Sequence, residues 1–84
     1  MNLYLISQTE NNTYDTFDSA VVAALDEETA RRMNIDTSDL QFTMDWSNRN
    51  WAWASDPKNV SVKFIGVAAP EIEQVVICAS YNAG

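Results

Sequence analysis

Histidine is missing from this 84-residue chain, cysteine occurs once, glycine twice, and basic side chains only five times. Each shortage excludes a chemistry. Without histidine there is no Ser-His or Cys-His pair for nucleophilic catalysis and no imidazole for a zinc site. Cys78 has no partner for an intrachain disulfide. Its place in the apolar run VVICA predicts a small core residue rather than a nucleophile. Gly66 and Gly84 cannot build a phosphate-cradling loop. Asp15 with Asp18, and Asp36 with Asp39, are pairs without the spacing of a calcium loop, and they read as turn formers. The expectation is a protein that is not an enzyme and takes no cofactor or metal.

What is abundant is negative charge. The formal net charge is -7. Nine acids lie between Glu10 and Asp45 against Arg31 and Arg32, whereas outside that stretch three acids balance three bases. The whole excess therefore sits in the first half. Such a field repels nucleic acid and anionic membranes and favours encounter with a basic surface. Five cations are also too few to hold a nucleic-acid backbone against the aromatic segment around Asn48, Arg49 and Asn50. Residues 1–12 have no basic leader and only a short apolar stretch, so neither a signal peptide nor a membrane span is expected. A reduced, cytosolic setting fits the single cysteine.

Hydrophobic patterning outlines a single α+β domain over residues 1–84. Residues 2–8 alternate as a strand, and 9–18 are a polar loop in which Tyr14 and Phe17 either pin the loop or face a partner. Residues 20–24 are apolar on both faces and predict a buried strand. Asp26 then caps a helix of about eight residues, with Glu27 and Glu28 at its positive end and Arg31 and Arg32 at its negative end. Leu25 stands in a hydrophobic-staple position, and Asn34 can end the helix in a left-handed conformation. A single helix over 19–33 is the rival reading. Residues 60–67 alternate as a strand with one buried face, and 75–81 read as an interior strand. The sum is a two-layer, antiparallel-rich sheet of about four strands, β-β-α-β-β, with one short helix.

Residues 34–59 carry the weakest signal. A weak alternation at Leu40, Phe42 and Met44 suggests a short strand, and Trp51-Ala52-Trp53-Ala54 would place both rings on one side of another. Trp46, Trp51 and Trp53 are either core or anchors of a protein interface. A short helix covers only part of one sheet face. Either the tryptophan segment or a second copy of the chain must cover the other, which makes a homodimer one expectation.

YLISQ (residues 4–8), YDTFDSAVVAA (14–24) with the following EETARR, and the terminal VICASYNAG (76–84) resemble small proteins encoded by bacteriophages and prophages. The resemblance covers the two ends of the chain and brings no assigned active site. It implies an accessory protein made in a bacterial cytoplasm, comparable in size and charge to some anti-CRISPR inhibitors. The expected function is a nucleic-acid-mimicking acidic surface (Asp15, Asp18, Asp36, Asp39, Asp45), anchored by Trp46, Trp51 and Trp53, on a basic host protein or nucleoprotein complex. The alternatives are an oligomeric sponge for a nucleotide signal, using Tyr14, Phe17 and the tryptophans, and a metal-dependent hydrolase.

Overall fold

The computed structural model describes residues 1–36, 40–48 and 51–82. In chain order the elements are β1 (Asn2–Ser7), β2 (Thr16–Ala24), α1 (Glu27–Arg31), β3 (Asn34–Ile35), β4 (Phe42–Thr43), β5 (Ser61–Val67) and β6 (Val75–Asn82). The class is α+β, mostly antiparallel, with one short helix. The long strands form one four-stranded sheet in the order β5-β1-β2-β6, and β3 pairs with β4 in a separate two-stranded ribbon. The ribbon adds a second sheet to the single one expected.

Alternation sorts the large sheet into two faces. On one, Phe64, Tyr4, Val22 and Val76 share a row, and Val62, Ile6, Ala20 and Ala79 share the next. This face carries the core, which also takes in Ala24, Ala30, Met33, Ile35, Ala52, Trp53, Ala54 and Val60. The helix runs only five residues, and Ala30 is its one buried side chain. Most of the covering layer is therefore Met33, Ile35 of β3 and the turn around Trp53 rather than the helix.

Asp26 caps α1 as expected: its carboxylate accepts the Thr29 N–H at 2.8 Å. A bond from the Thr29 side chain, joined by the one from its N–H, lowers the carboxyl below its ordinary range. Arg32 donates to Glu28 at 2.9 Å, and Arg31 reaches out of the helix to the Val60 carbonyl. The staple does not form, because Leu25 is 70% exposed and Ala30 is too small to hold it. Nor is Asn34 left-handed. The helix closes at Arg32 with φ -88°, and Asn34 is buried as the first residue of β3.

Four further expectations are corrected. β6 is an edge strand, not an interior one, since β1 and β2 occupy the centre. Cys78 is accordingly exposed. Residues 51–54 form turns instead of a strand, with Trp51 exposed and Trp53 fully buried. β5 buries its face unevenly: Val60 just ahead of it is inside, Val62 is half-buried, and Phe64 lies at the margin, where it meets Tyr4 edge-on with ring centroids 5.9 Å apart.

A buried amide knits the first loop to this core. Gln8 donates to the carbonyls of Phe17 at 2.8 Å and Asn11 at 2.6 Å while accepting the Asn11 N–H. Asn11 in turn donates to the Trp53 carbonyl at 2.6 Å. The Trp53 indole N–H finds no acceptor among the described residues, an omission that costs about 1–3 kcal/mol. Trp53→Ala is expected to lose about 3–5 kcal/mol by cavity formation. Trp53→Phe should lose much less, because it discards the unsatisfied N–H with the lost volume. Urea unfolding of both variants checks the ranking, and equal losses would contradict it.

Candidate partner-binding surface

The expected acidic residues are not gathered on one surface. Thr16 at the start of β2 pairs with Asn82 at the end of β6, so Asp15 and Asp18 stand at that end of the sheet. Asp45 follows Met44, whose sulfur accepts from Gln74 just ahead of β6, at the opposite end. Eight residues of strand separate the two ends, about 26 Å. Asp36 is exposed after β3, and its N–H donates to the Gln41 carbonyl. Asp39 lies outside the described residues.

The tryptophans divide as well. Trp53 is core and cannot anchor a partner. Trp46 is half-buried and donates its indole N–H to the Arg32 carbonyl at 2.9 Å, which occupies a free acceptor at the helix C-terminus. Trp51 alone keeps a largely exposed ring, at 67%. Its neighbour Ala52 accepts the Phe17 N–H at 2.8 Å, and this bond brings Trp51 to the same end as Asp15 and Asp18. Tyr14 and Phe17 part company: Tyr14 is 73% exposed, and Phe17 is buried. With Phe17 and Trp53 inside, a ligand pocket built on them, as the sponge alternative needs, loses two of its walls.

This end of the molecule therefore combines acids with exposed aromatics. The turn at Tyr14-Asp15 is held by the Asp15 N–H donating to the Asn82 carbonyl at 2.8 Å and by Thr16 Oγ1 donating to the Thr13 carbonyl at 2.7 Å. Asp15 has φ 60°, in the left-handed region that Asp and Asn tolerate better than most residues. The Tyr81 hydroxyl donates to its carboxylate at 2.5 Å, and the Tyr81 ring leans on Phe17 with centroids 5.0 Å apart. Glu10 joins the same end by accepting from the Ser55 N–H and from Asn59. At the far end Asp45 accepts the Ser47 N–H, and that bond, with one from the Ser47 side chain, lowers its carboxyl below the ordinary range.

Sequence reasoning missed Tyr81 altogether. The one available signal was the turn to polar character in Ser80-Tyr81-Asn82 as the strand leaves the core. Among the described residues no three acidic or thiol side chains gather where a metal ion could be held, and no helix is long and apolar enough to cross a membrane. No protein-family model, no curated protein and no solved structure matches the chain.

The hydrogen bond to Asp15, followed by desolvation and the nearby negative charge, raises the Tyr81 phenol above its ordinary value. A group raised in the folded state stabilises fully below its unfolded pKa of about 10. That contribution is lost as pH rises through the folded value. Asp15→Asn keeps a residue suited to the positive φ and removes the charge, so it should return the Tyr81 phenol toward the ordinary value. Spectrophotometric titration of the tyrosinate band checks this, with Tyr81→Phe identifying the band; an unchanged titration in Asp15→Asn would refute the pairing.

Proposed function

We propose that this protein is a non-enzymatic binding protein of bacteriophage origin that blocks a host defence complex in the bacterial cytoplasm. Its acidic, aromatic end, made by Tyr14, Asp15, Asp18, Trp51 and Tyr81, docks on a basic surface that otherwise holds nucleic acid. The observation that carries the reading is the convergence of exposed Trp51, Tyr14 and Tyr81 with Asp15 and Asp18 at one end of the sheet. Tryptophan and tyrosine concentrate where interfaces gain their affinity, and acids around them steer a basic partner into register. With a net charge of -7, the long-range field favours the same encounter. The separation of Asp45 from this end narrows the mimicry to a local contact, in place of a continuous row of phosphate-like charges.

The test is capture of a partner from bacterial lysate at low salt, followed by affinity measurement with the identified protein across a salt series. Affinity should fall with salt, and Trp51→Ala should weaken it by roughly tenfold or more. Asp15→Asn with Asp18→Asn should lower it by several-fold at low salt and flatten the salt dependence. Asp45→Asn should leave it unchanged. The bound protein should also displace nucleic acid from its partner. An affinity indifferent to salt and to Trp51 rejects the proposal.

A further inference from the structure

The second face of the large sheet carries three rows that cross all four strands. Ser61, Ser7, Ser19 and Ser80 stand side by side in the first, Lys63, Leu5, Val21 and Cys78 in the second, and Gly66, Leu3, Ala23 and Val75 in the third. The helix and the tryptophan segment lie on the other side, with the core. Apart from Ala23, which its neighbours close over, these side chains are half-buried or exposed. A shallow hollow of about 200 Å³ opens over Leu5, Val21 and Cys78 and is edged by Ser19 and Ser80.

We propose that this face is where two copies of the chain meet, packed sheet on sheet about a two-fold axis. Charge selects the occupant. Two molecules of net charge -7 repel wherever their acids approach, and the three rows hold a single charge, Lys63, with Asp18 bordering the serine row through the Ser19 hydroxyl at 3.5 Å. A basic partner is drawn to the acidic ends instead. Shape agrees: apart from Leu3, Leu5 and Lys63 the rows are serine, alanine, glycine, cysteine and valine, a low-relief face able to meet its own copy at the ~10 Å spacing of stacked sheets. The alternative, adding strands at an edge, is blocked on both sides. β5 carries Lys63 and a bulge at Ile65, and β6 carries a bulge at Ile77.

Two further features define the dimer. Three rows on four strands span about 20 by 19 Å, so the contact buries roughly 400 Å² of flat area per copy. That is about half of a standard interface, which makes the dimer weak and concentration-dependent. An axis across the strands would set Lys63 against the partner's Lys63. An axis along the strands sets it against the partner's Cys78, and serines against serines, and is the arrangement assigned here.

Sedimentation equilibrium from about 10 µM to about 1 mM, the range where weak dimers form, should show the mass rising from 9.4 kDa toward twice that value. Val21→Glu, and separately Ser80→Arg at an already exposed position, should each weaken dimerisation tenfold or more while circular dichroism stays unchanged. A short thiol–amine cross-linker should join Lys63 to the partner's Cys78. Within one chain these residues are three strand spacings apart, about 14 Å, beyond its reach. A constant 9.4 kDa mass, or a dimer indifferent to both substitutions, overturns the proposal, and the absence of a Lys63–Cys78 cross-link overturns the axis. Because Val21, Lys63 and Cys78 stand in the middle row, away from the Tyr14–Trp51 end, failure of Val21→Glu and of the cross-link leaves the partner-binding proposal standing.

Discussion

One large side chain fills the space above a sheet whose inner face is made largely of small ones. Ala20, Ala24 and Val22 on the central strand leave room that a five-residue helix with one buried alanine cannot occupy. Trp53 fills it, and the chain on either side is arranged to deliver that ring. Asn11 holds the Trp53 carbonyl, Gln8 holds Asn11, and Phe17 holds Ala52. A small domain buries little surface in total, so a single indole at its centre accounts for an unusual share of what keeps it folded. The polar bonds around it act as positioning contacts whose net value is realised through the burial they enforce.

That arrangement explains why the exposed aromatics stand where they do. The turn that holds Trp53 inside leaves Trp51 outward, and the bond from Phe17 to Ala52 places Trp51 at the end that carries the acidic loop. Core and surface are thus two outcomes of one short segment. The charges divide in a similar way. Asp26, Glu27 and Glu28 are absorbed by the helix they cap and its arginines. Asp15 and Asp18 flank a strand start without such partners in cation form, and so contribute to the field that a visitor meets.

The long strands and the cap were legible because each depends on local rules: alternation at residues 2–8, β-branched residues at 21 and 22, and a carboxylate three residues ahead of a free N–H. The order of strands in the sheet was not, because a run such as VVICASY looks alike whether neighbours or solvent lie beside it. An interior reading of β6 failed for that reason, and the burial expected of Cys78 failed with it. The role of the tryptophans was legible only as an alternative between core and interface. Choosing between Trp51 and Trp53 required the turn geometry of residues 51–54, where pattern gives way to hydrogen bonds across 35 to 42 residues of sequence. The acidic surface was legible as composition and not as shape, since Asp15 and Asp45 are separated by the length of the sheet.

The bulge at Ile77 has a consequence for what this chain avoids. Val75 to Tyr81 is uncharged, free of proline and glycine, and rich in residues that favour strands, which is the make-up of segments that stack into cross-β fibrils. At the margin of a sheet it would offer a regular row of backbone donors and acceptors to any neighbour. One extra residue, set between the partners of Val21 and Val22, interrupts that row after Val76 and shortens the regular run that another strand could copy. A bulge of this kind is one of the devices by which edge strands are made poor templates for open-ended pairing.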